Sequence, residues 1–154
     1  RQRADGSLGG EDLFAAKPAS DSFAQPENLG AGVNSKRDEF NSLVAPDGGF
    51  ILFSSYGRED GLGGGDLYIS FRGENGEWLP AKNLGENINS SALDYCPSLS
   101  PDGRTFYFTS QRRALSVAPE KSYSFAQLVE QLNAPQNGAG DIYFMNSSVL
   151  QRFK

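Results

Sequence analysis

Short apolar runs bounded by Gly, Pro, Asn and Asp set the pattern of this chain, with almost no stripe at helical spacing. Such runs, rich in Phe, Tyr, Ile and Thr, predict β-strands. Residues 40–45 and 95–100 each read as a first strand, closed by the turns Pro46-Asp47-Gly48-Gly49 and Pro101-Asp102-Gly103-Arg104. There proline presets φ and glycine accepts a positive φ. A second strand follows at once, at 50–54 and 105–109, so each pair predicts a hairpin. A Gly-rich loop then leads to a third strand at 12–14, 66–70 and 141–145. The last element runs towards Phe23 or Trp78 and on through an Asn-Leu-Gly turn. The one helical stripe is Phe125, Leu128, Val129 and Leu132, at i, i+3, i+4 and i+7, with Ser122 or Ser124 as N-cap. It predicts a short amphipathic helix that packs on its own sheet, covers an edge, or serves as a lid or partner-binding element.

The pattern is periodic. Asn28-Leu29-Gly30 returns as Asn83-Leu84-Gly85, 55 positions later, and Val33-Asn34-Ser35 returns as Ile88-Asn89-Ser90 at the same offset. Pro46-Asp47-Gly48 matches Pro101-Asp102-Gly103, and Phe53-Ser54-Ser55 matches Phe108-Thr109-Ser110. A period of that length with several short strands per unit points to a stacked or radial β architecture. Residues 1–34 hold the second half of a unit, 35–89 a full unit and 90–154 another, with an insertion at 114–136. Trp78 falls at the position of Phe23, which predicts packing between units rather than sugar stacking.

Ser98-Leu99-Ser100-Pro101-Asp102-Gly103-Arg104-Thr105-Phe106-Tyr107-Phe108-Thr109-Ser110 resembles the blade signature of the WD40-like, TolB-type propeller repeats known as PD40. The likeness extends to Ala45-Pro46-Asp47-Gly48 with the strand after it, to the Gly-Gly-x-Asp-Leu-aromatic segments and to Asn-Leu-Gly. It covers nearly everything except 114–136. Ala45 and Gly49 depart from the fuller pattern of Ser100 and Arg104 without altering the turn chemistry. The resemblance implies an all-β fold of propeller blades with four antiparallel strands each, about two and a half blades here, plus one short helix in the insertion. It also implies a bacterial envelope protein, periplasmic or extracellular, acting as a noncatalytic scaffold for a protein or cell-wall carbohydrate partner. The rival reading is the propeller part of a carbohydrate-active enzyme, or of a peptidase whose catalytic domain is absent. Closed propellers need about four to eight blades. The chain is therefore expected to be a fragment, to complete a ring with copies of itself, or to form an open stack.

Composition narrows the chemistry. Fourteen basic residues against nineteen acidic ones give a net charge of −5, which argues against attraction to nucleic acid or to an anionic membrane. No apolar run reaches membrane-spanning length, so no membrane insertion is expected. The opening Arg1-Gln2-Arg3-Ala4-Asp5 does not read as a secretory signal, and the expectation is that a leader has been removed or that the chain is a piece of a longer protein. Histidine is absent, which removes the usual general base and metal ligand. No cofactor is expected. The single cysteine, Cys96, cannot form an internal disulfide and reads as a buried thiol.

Three sets of residues carry the remaining chemistry. Arg3 with Asp12, Arg58 with Asp66 and Arg113 with Asp141 bracket the Gly-rich loop in each unit and read as a structural latch. Asp38 and Glu39 in one unit and Asp94 in the next precede the first strand. If that strand lines a central channel, they ring its mouth as ligand-binding candidates. They are also the only carboxylate set that could serve a glycosidase. On the scaffold view, Asp94→Asn leaves folding mostly intact. Asp5 and Asp60 lie in loops that combine carboxylates with permissive backbone, as calcium sites do, but the loops lack the ligand spacing of an EF-hand. No metal is expected.

Overall fold

The computed structural model describes residues 6–114 and 123–154. They form a mostly β protein of antiparallel sheets. The first sheet has two short strands, β1 (Phe14–Ala15) and β2 (Glu27–Asn28). The second has four in the order β3 (Asp38–Val44), β4 (Phe50–Tyr56), β5 (Asp66–Phe71) and β6 (Lys82–Asn83). The third has three, β7 (Asp94–Leu99), β8 (Thr105–Ser110) and β9 (Asp141–Asn146). Two short helices complete the chain: α1 (Phe125–Asn133) and a 3-10 helix, Ser147–Phe153.

The Pro-Asp-Gly segments make the same turn twice. The Gly48 and Gly103 amides donate to the carbonyls of Ala45 and Ser100 at 2.8 Å, and both glycines sit at φ +70°, a conformation that a side chain would strain. Ahead of each turn the register slips, between Phe40 and Leu43 and between Tyr95 and Ser98. These are β-bulges, and each holds a non-glycine residue at positive φ: Asn41 at 48° and Cys96 at 52°. The bulge turns Cys96 outward, so its thiol is exposed rather than buried.

The second sheet is covered on both faces because its side chains alternate. Ile51, Phe53 and Tyr68 point towards the first sheet and pack with Val33, Leu13, Leu29 and Trp78. Leu52, Leu67 and Ile69 point towards the third and pack with Phe106, Phe108, Leu84 and Ile88. All six residues of β5 are buried. Trp78 therefore joins the packing between sheets, whereas Phe23 is exposed.

The fourth strand of the second sheet lies at Lys82–Asn83, beyond Trp78, which makes only an isolated bridge to Arg72. The third sheet has three strands where four are expected. After β9 the chain turns into the 3-10 helix, which buries Leu150 in the core between the second and third sheets. Helix α1 matches its expected position and is capped by Ser124 in a capping box with Gln127. None of its residues is buried, and its apolar stripe is exposed. The helix does not pack on its own sheet.

Gly32 marks a close approach between the first two sheets. A Cβ there would sit 1.9 Å from the Trp78 carbonyl oxygen and 3.1 Å from that of Leu79. Backbone cannot rotate away as a side chain can. Gly32→Ala is expected to cost about 1–3 kcal/mol, read as a lowered midpoint in urea; an unchanged midpoint would mean that this contact is slack.

Candidate functional site

The polar residues of the repeat gather at the end of the stack where β3 and β7 begin. Two equivalent clusters form there. In the first, Glu39 is 1% exposed, and its carboxylate accepts from the Ser35 amide (2.9 Å), the Ser35 hydroxyl (2.6 Å) and the Ser55 hydroxyl (3.0 Å). Arg58 donates to Glu39 Oε1 at 2.8 Å and to the Val33 carbonyl. Its guanidinium also lies over the rings of Phe53 and Tyr68, 5.1 and 4.7 Å from their centroids.

In the second cluster Asp94 is fully buried. Its carboxylate accepts from the Ser90 amide and hydroxyl at 2.6 and 2.8 Å. Arg112 donates to Asp94 Oδ1 at 3.0 Å, to the Ser110 hydroxyl at 2.8 Å and to the Ile88 carbonyl. It stacks over Phe108 and Tyr143 as Arg58 does over its pair. Each arginine thus joins a buried carboxylate, the carbonyl that precedes the sheet and an aromatic pair inside it.

This arrangement changes the expected pairing. Arg58 takes Glu39, not Asp66, and the arginine of the next unit is Arg112, not Arg113. Among the described residues no ion pair joins Arg58 to Asp66 or Arg113 to Asp141. Arg113 is exposed, and its backbone bridges Asn137. Arg3 and Asp5 lie outside the described residues.

The aspartates of the Gly-rich loops do hold those loops, through backbone amides. Asp12 accepts from Leu8, Gly9 and the Asn28 side chain at 2.6, 3.0 and 2.7 Å. Asp66 accepts from Leu62 at 2.7 Å, and Asp141 from Gln136 at 2.6 Å. The loops in turn tie each sheet to the next. The Gly10 amide donates to the Arg37 carbonyl, and Gly64 to Ala92. A Cβ on Gly63 would lie 2.4 Å from the Ser90 carbonyl oxygen, so the glycines serve backbone contact between sheets. Asp60, in the same loop, accepts from the Tyr68 hydroxyl at 2.9 Å.

Asp66 is the unusual member. Its Oδ1 is buried without a hydrogen-bond partner. Burial holds its pKa above the ordinary 3.8, opposed by the Leu62 and Gly63 amides and reinforced by the Asp94 and Asp60 charges. A carboxyl with a raised folded pKa penalises folding once it is ionised, and the penalty vanishes below pH 3.8, where folded and unfolded forms are both protonated. The stability of Asp66→Asn relative to the original chain should therefore shift in favour of the variant between pH 3 and pH 7. Denaturation at both pH values reads this, and an equal difference at the two would refute it.

Of the three channel-mouth candidates, Glu39 and Asp94 are buried and paired, so they cannot meet a ligand in solvent. Asp38 is half-buried and accepts from the Glu11 amide at 2.9 Å. What the surface at this end does offer is a pocket of about 580 Å³ lined by Ser35, Lys36, Arg37, Arg58 and Glu59. Lys36 and Arg37 are exposed, and the equivalent positions in the next unit are Ser91 and Ala92. The sequence alone did not single this pair out; its signal is a difference between copies within an otherwise repeated stretch.

Comparison with protein-family models, with characterised proteins and with solved structures finds no match for this chain.

Proposed function

We propose that the repeated sheets are blades of a β-propeller of the WD40-like, TolB-type class. The chain then acts as a noncatalytic scaffold recognising a protein or cell-wall ligand in the bacterial envelope. One observation carries the reading: the carboxylates at the equivalent positions Glu39 and Asp94 are consumed in holding the fold, while the cations Lys36 and Arg37, which differ between copies, face solvent. Glu39 and Asp94 are neutralised by arginines inside the protein. A glycosidase needs one carboxyl free to protonate a leaving group and another to face the sugar, and this pair offers neither. Lys36 and Arg37, present in one unit only, give the open pocket a cationic rim suited to anionic groups on a wall polymer or an acidic protein segment.

Co-sedimentation with isolated peptidoglycan sacculi tests this. The original chain is expected to pellet with the wall and release no soluble glycan, and Lys36→Glu with Arg37→Glu is expected to bind about tenfold more weakly. Release of soluble fragments would overturn the noncatalytic reading. Failure to pellet would remove the cell-wall ligand and leave the protein partner.

A further inference from the structure

The Asn-Leu-Gly-x-x-Val/Ile-Asn segment does the same work twice in this chain. In its first copy, the Asn34 side chain accepts from the Leu13 amide and donates to the Leu13 carbonyl, both at 2.8 Å, and also donates to Asn28 Oδ1. In its second, Asn89 makes the same two bonds to Leu67, at 2.9 and 3.0 Å, and donates to Asn83 Oδ1. An asparagine amide has one acceptor and one donor arm side by side, so it mimics a neighbouring strand and satisfies both backbone groups of one residue. The apolar members of the segment cover the same sheet. Leu29 and Val33 pack in the cluster that includes Leu13, and Leu84 and Ile88 pack in the cluster that includes Leu67 and Ile69.

The third unit has the receiving strand without the segment. Asp141-Ile142-Tyr143-Phe144 aligns with Asp66-Leu67-Tyr68-Ile69. Ile142 pairs with Thr109 on β8 as Leu67 pairs with Ser54 on β4. The groups of Leu67 that Asn89 engages therefore correspond to groups of Ile142 on the far side of β9, which is an edge strand. The side chains agree. Leu67 and Ile69 are fully buried, whereas Ile142 and Phe144 are 75% and 72% exposed. The same face carries Tyr107 and Thr109 from β8 and no charged side chain along those rows.

We infer that the edge and outer face of β9 are a docking site for a strand bearing Asn-Leu-Gly-x-x-Val/Ile-Asn, supplied by another unit of this same repeat. Its second asparagine bonds the Ile142 backbone, and its Leu and Val/Ile cover part of the Ile142 and Phe144 face, the equivalent of which in the second unit is closed by Leu84 and Ile88 together with Phe106 and Phe108. A second copy of this chain is a poor source. Both of its segments are already engaged, on Leu13 and Leu67, with Val33 and Ile88 buried in its own core. The recognition is strand addition to a sheet edge, where main-chain bonds give affinity and side-chain positions give specificity.

The probe is a synthetic peptide with the sequence of residues 79–90, titrated into the isotopically labelled 154-residue chain and followed by NMR. Saturable shifts at the amides of residues 141–145 are expected, with slowed exchange of the Ile142 amide. The same peptide carrying Asn89→Ala should bind about tenfold more weakly, since it leaves the Ile142 amide unmet while the Leu84 amide still serves the carbonyl, as it does for Leu67. On the protein side, Phe144→Ser removes a side chain that is 72% exposed and meets the Tyr107 ring at 6.2 Å; it should weaken peptide binding while lowering the denaturation midpoint only slightly. No saturable shift, or equal binding of the two peptides, would overturn the proposal. Light scattering that shows dimers without peptide, with the same amides perturbed, would overturn it in favour of a second copy as the occupant.

Discussion

Asp94→Asn is expected to destabilise the folded chain by about 3–5 kcal/mol, the usual cost of removing one partner from a buried ion pair. Asp94 is fully buried and holds the Arg112 guanidinium at 3.0 Å. The substitution leaves that cation largely desolvated without its counter-charge. It also sets a new N–H donor among existing donors, because Ser90 gives its amide and hydroxyl to one carboxylate oxygen while Arg112 takes the other. Against a total stability of about 5–15 kcal/mol for a typical domain, such a loss unfolds a sizeable share of the protein. Glu39→Gln should behave alike, since Glu39 meets Ser35, Ser55 and Arg58. Urea denaturation measures both. Adding Arg112→Met to Asp94→Asn should recover part of the loss, because the stranded charge leaves with it. A loss below about 1 kcal/mol for Asp94→Asn would mean that Arg112 reaches water well enough to stand alone.

The same arithmetic explains why Asp94→Asn cannot serve as a clean probe of activity. A lost activity in that variant would report unfolding, and a scaffold would fail as surely as an enzyme. The expectation that a scaffold tolerates the change assumed a solvent-facing carboxylate. Burial reverses it.

Strands and turns were legible in the sequence because local chemistry fixes them. Pro-Asp-Gly dictates its turn, and the runs on either side have only one way to pair once it forms. The 55-residue register was legible too, and it located Glu39 and Asp94 at equivalent positions. The cross-links between units were not, since they depend on which side chain reaches across a loop of variable length. Arg58 and Arg112 are 54 positions apart, and the strict register therefore selected Arg113, its neighbour. The aromatic pairs beneath each guanidinium decide the matter, and they meet only when β4 packs on β5 and β8 on β9. Burial was hidden for a similar reason. A carboxylate next to a strand start reads as exposed until the serines and arginine that neutralise it are placed. The third sheet misled through its tail: residues 147–153 carry Val149, Leu150 and Phe153, apolar enough for a strand, but they fold into a 3-10 helix under the core.

Asn89→Ala is the second large effect, and it tests the repeat itself. The side chain is 2% exposed and makes three hydrogen bonds, to the Leu67 amide, the Leu67 carbonyl and Asn83. Its removal strands the Leu67 N–H of the most buried strand, at about 1–3 kcal/mol for an unmet group, less whatever water can restore, while the Leu67 carbonyl keeps the Leu84 amide at 3.0 Å. A net loss of about 2 kcal/mol is expected. The signature should be local as well as global. Hydrogen exchange of the Leu67 amide should accelerate well beyond that of its neighbours within β5, while the Leu13 amide, held by Asn34 in the preceding unit, keeps its protection. Asn34→Ala should give the mirror result with a smaller loss, because the first sheet has only two short strands and less to lose when its edge opens. Equal exchange at Leu67 and Leu13 in the Asn89 variant would show that the clamp is incidental and that side-chain packing alone holds one sheet to the next. Selective loss at Leu67 would make the asparagine the device by which each unit closes the edge of the one before it.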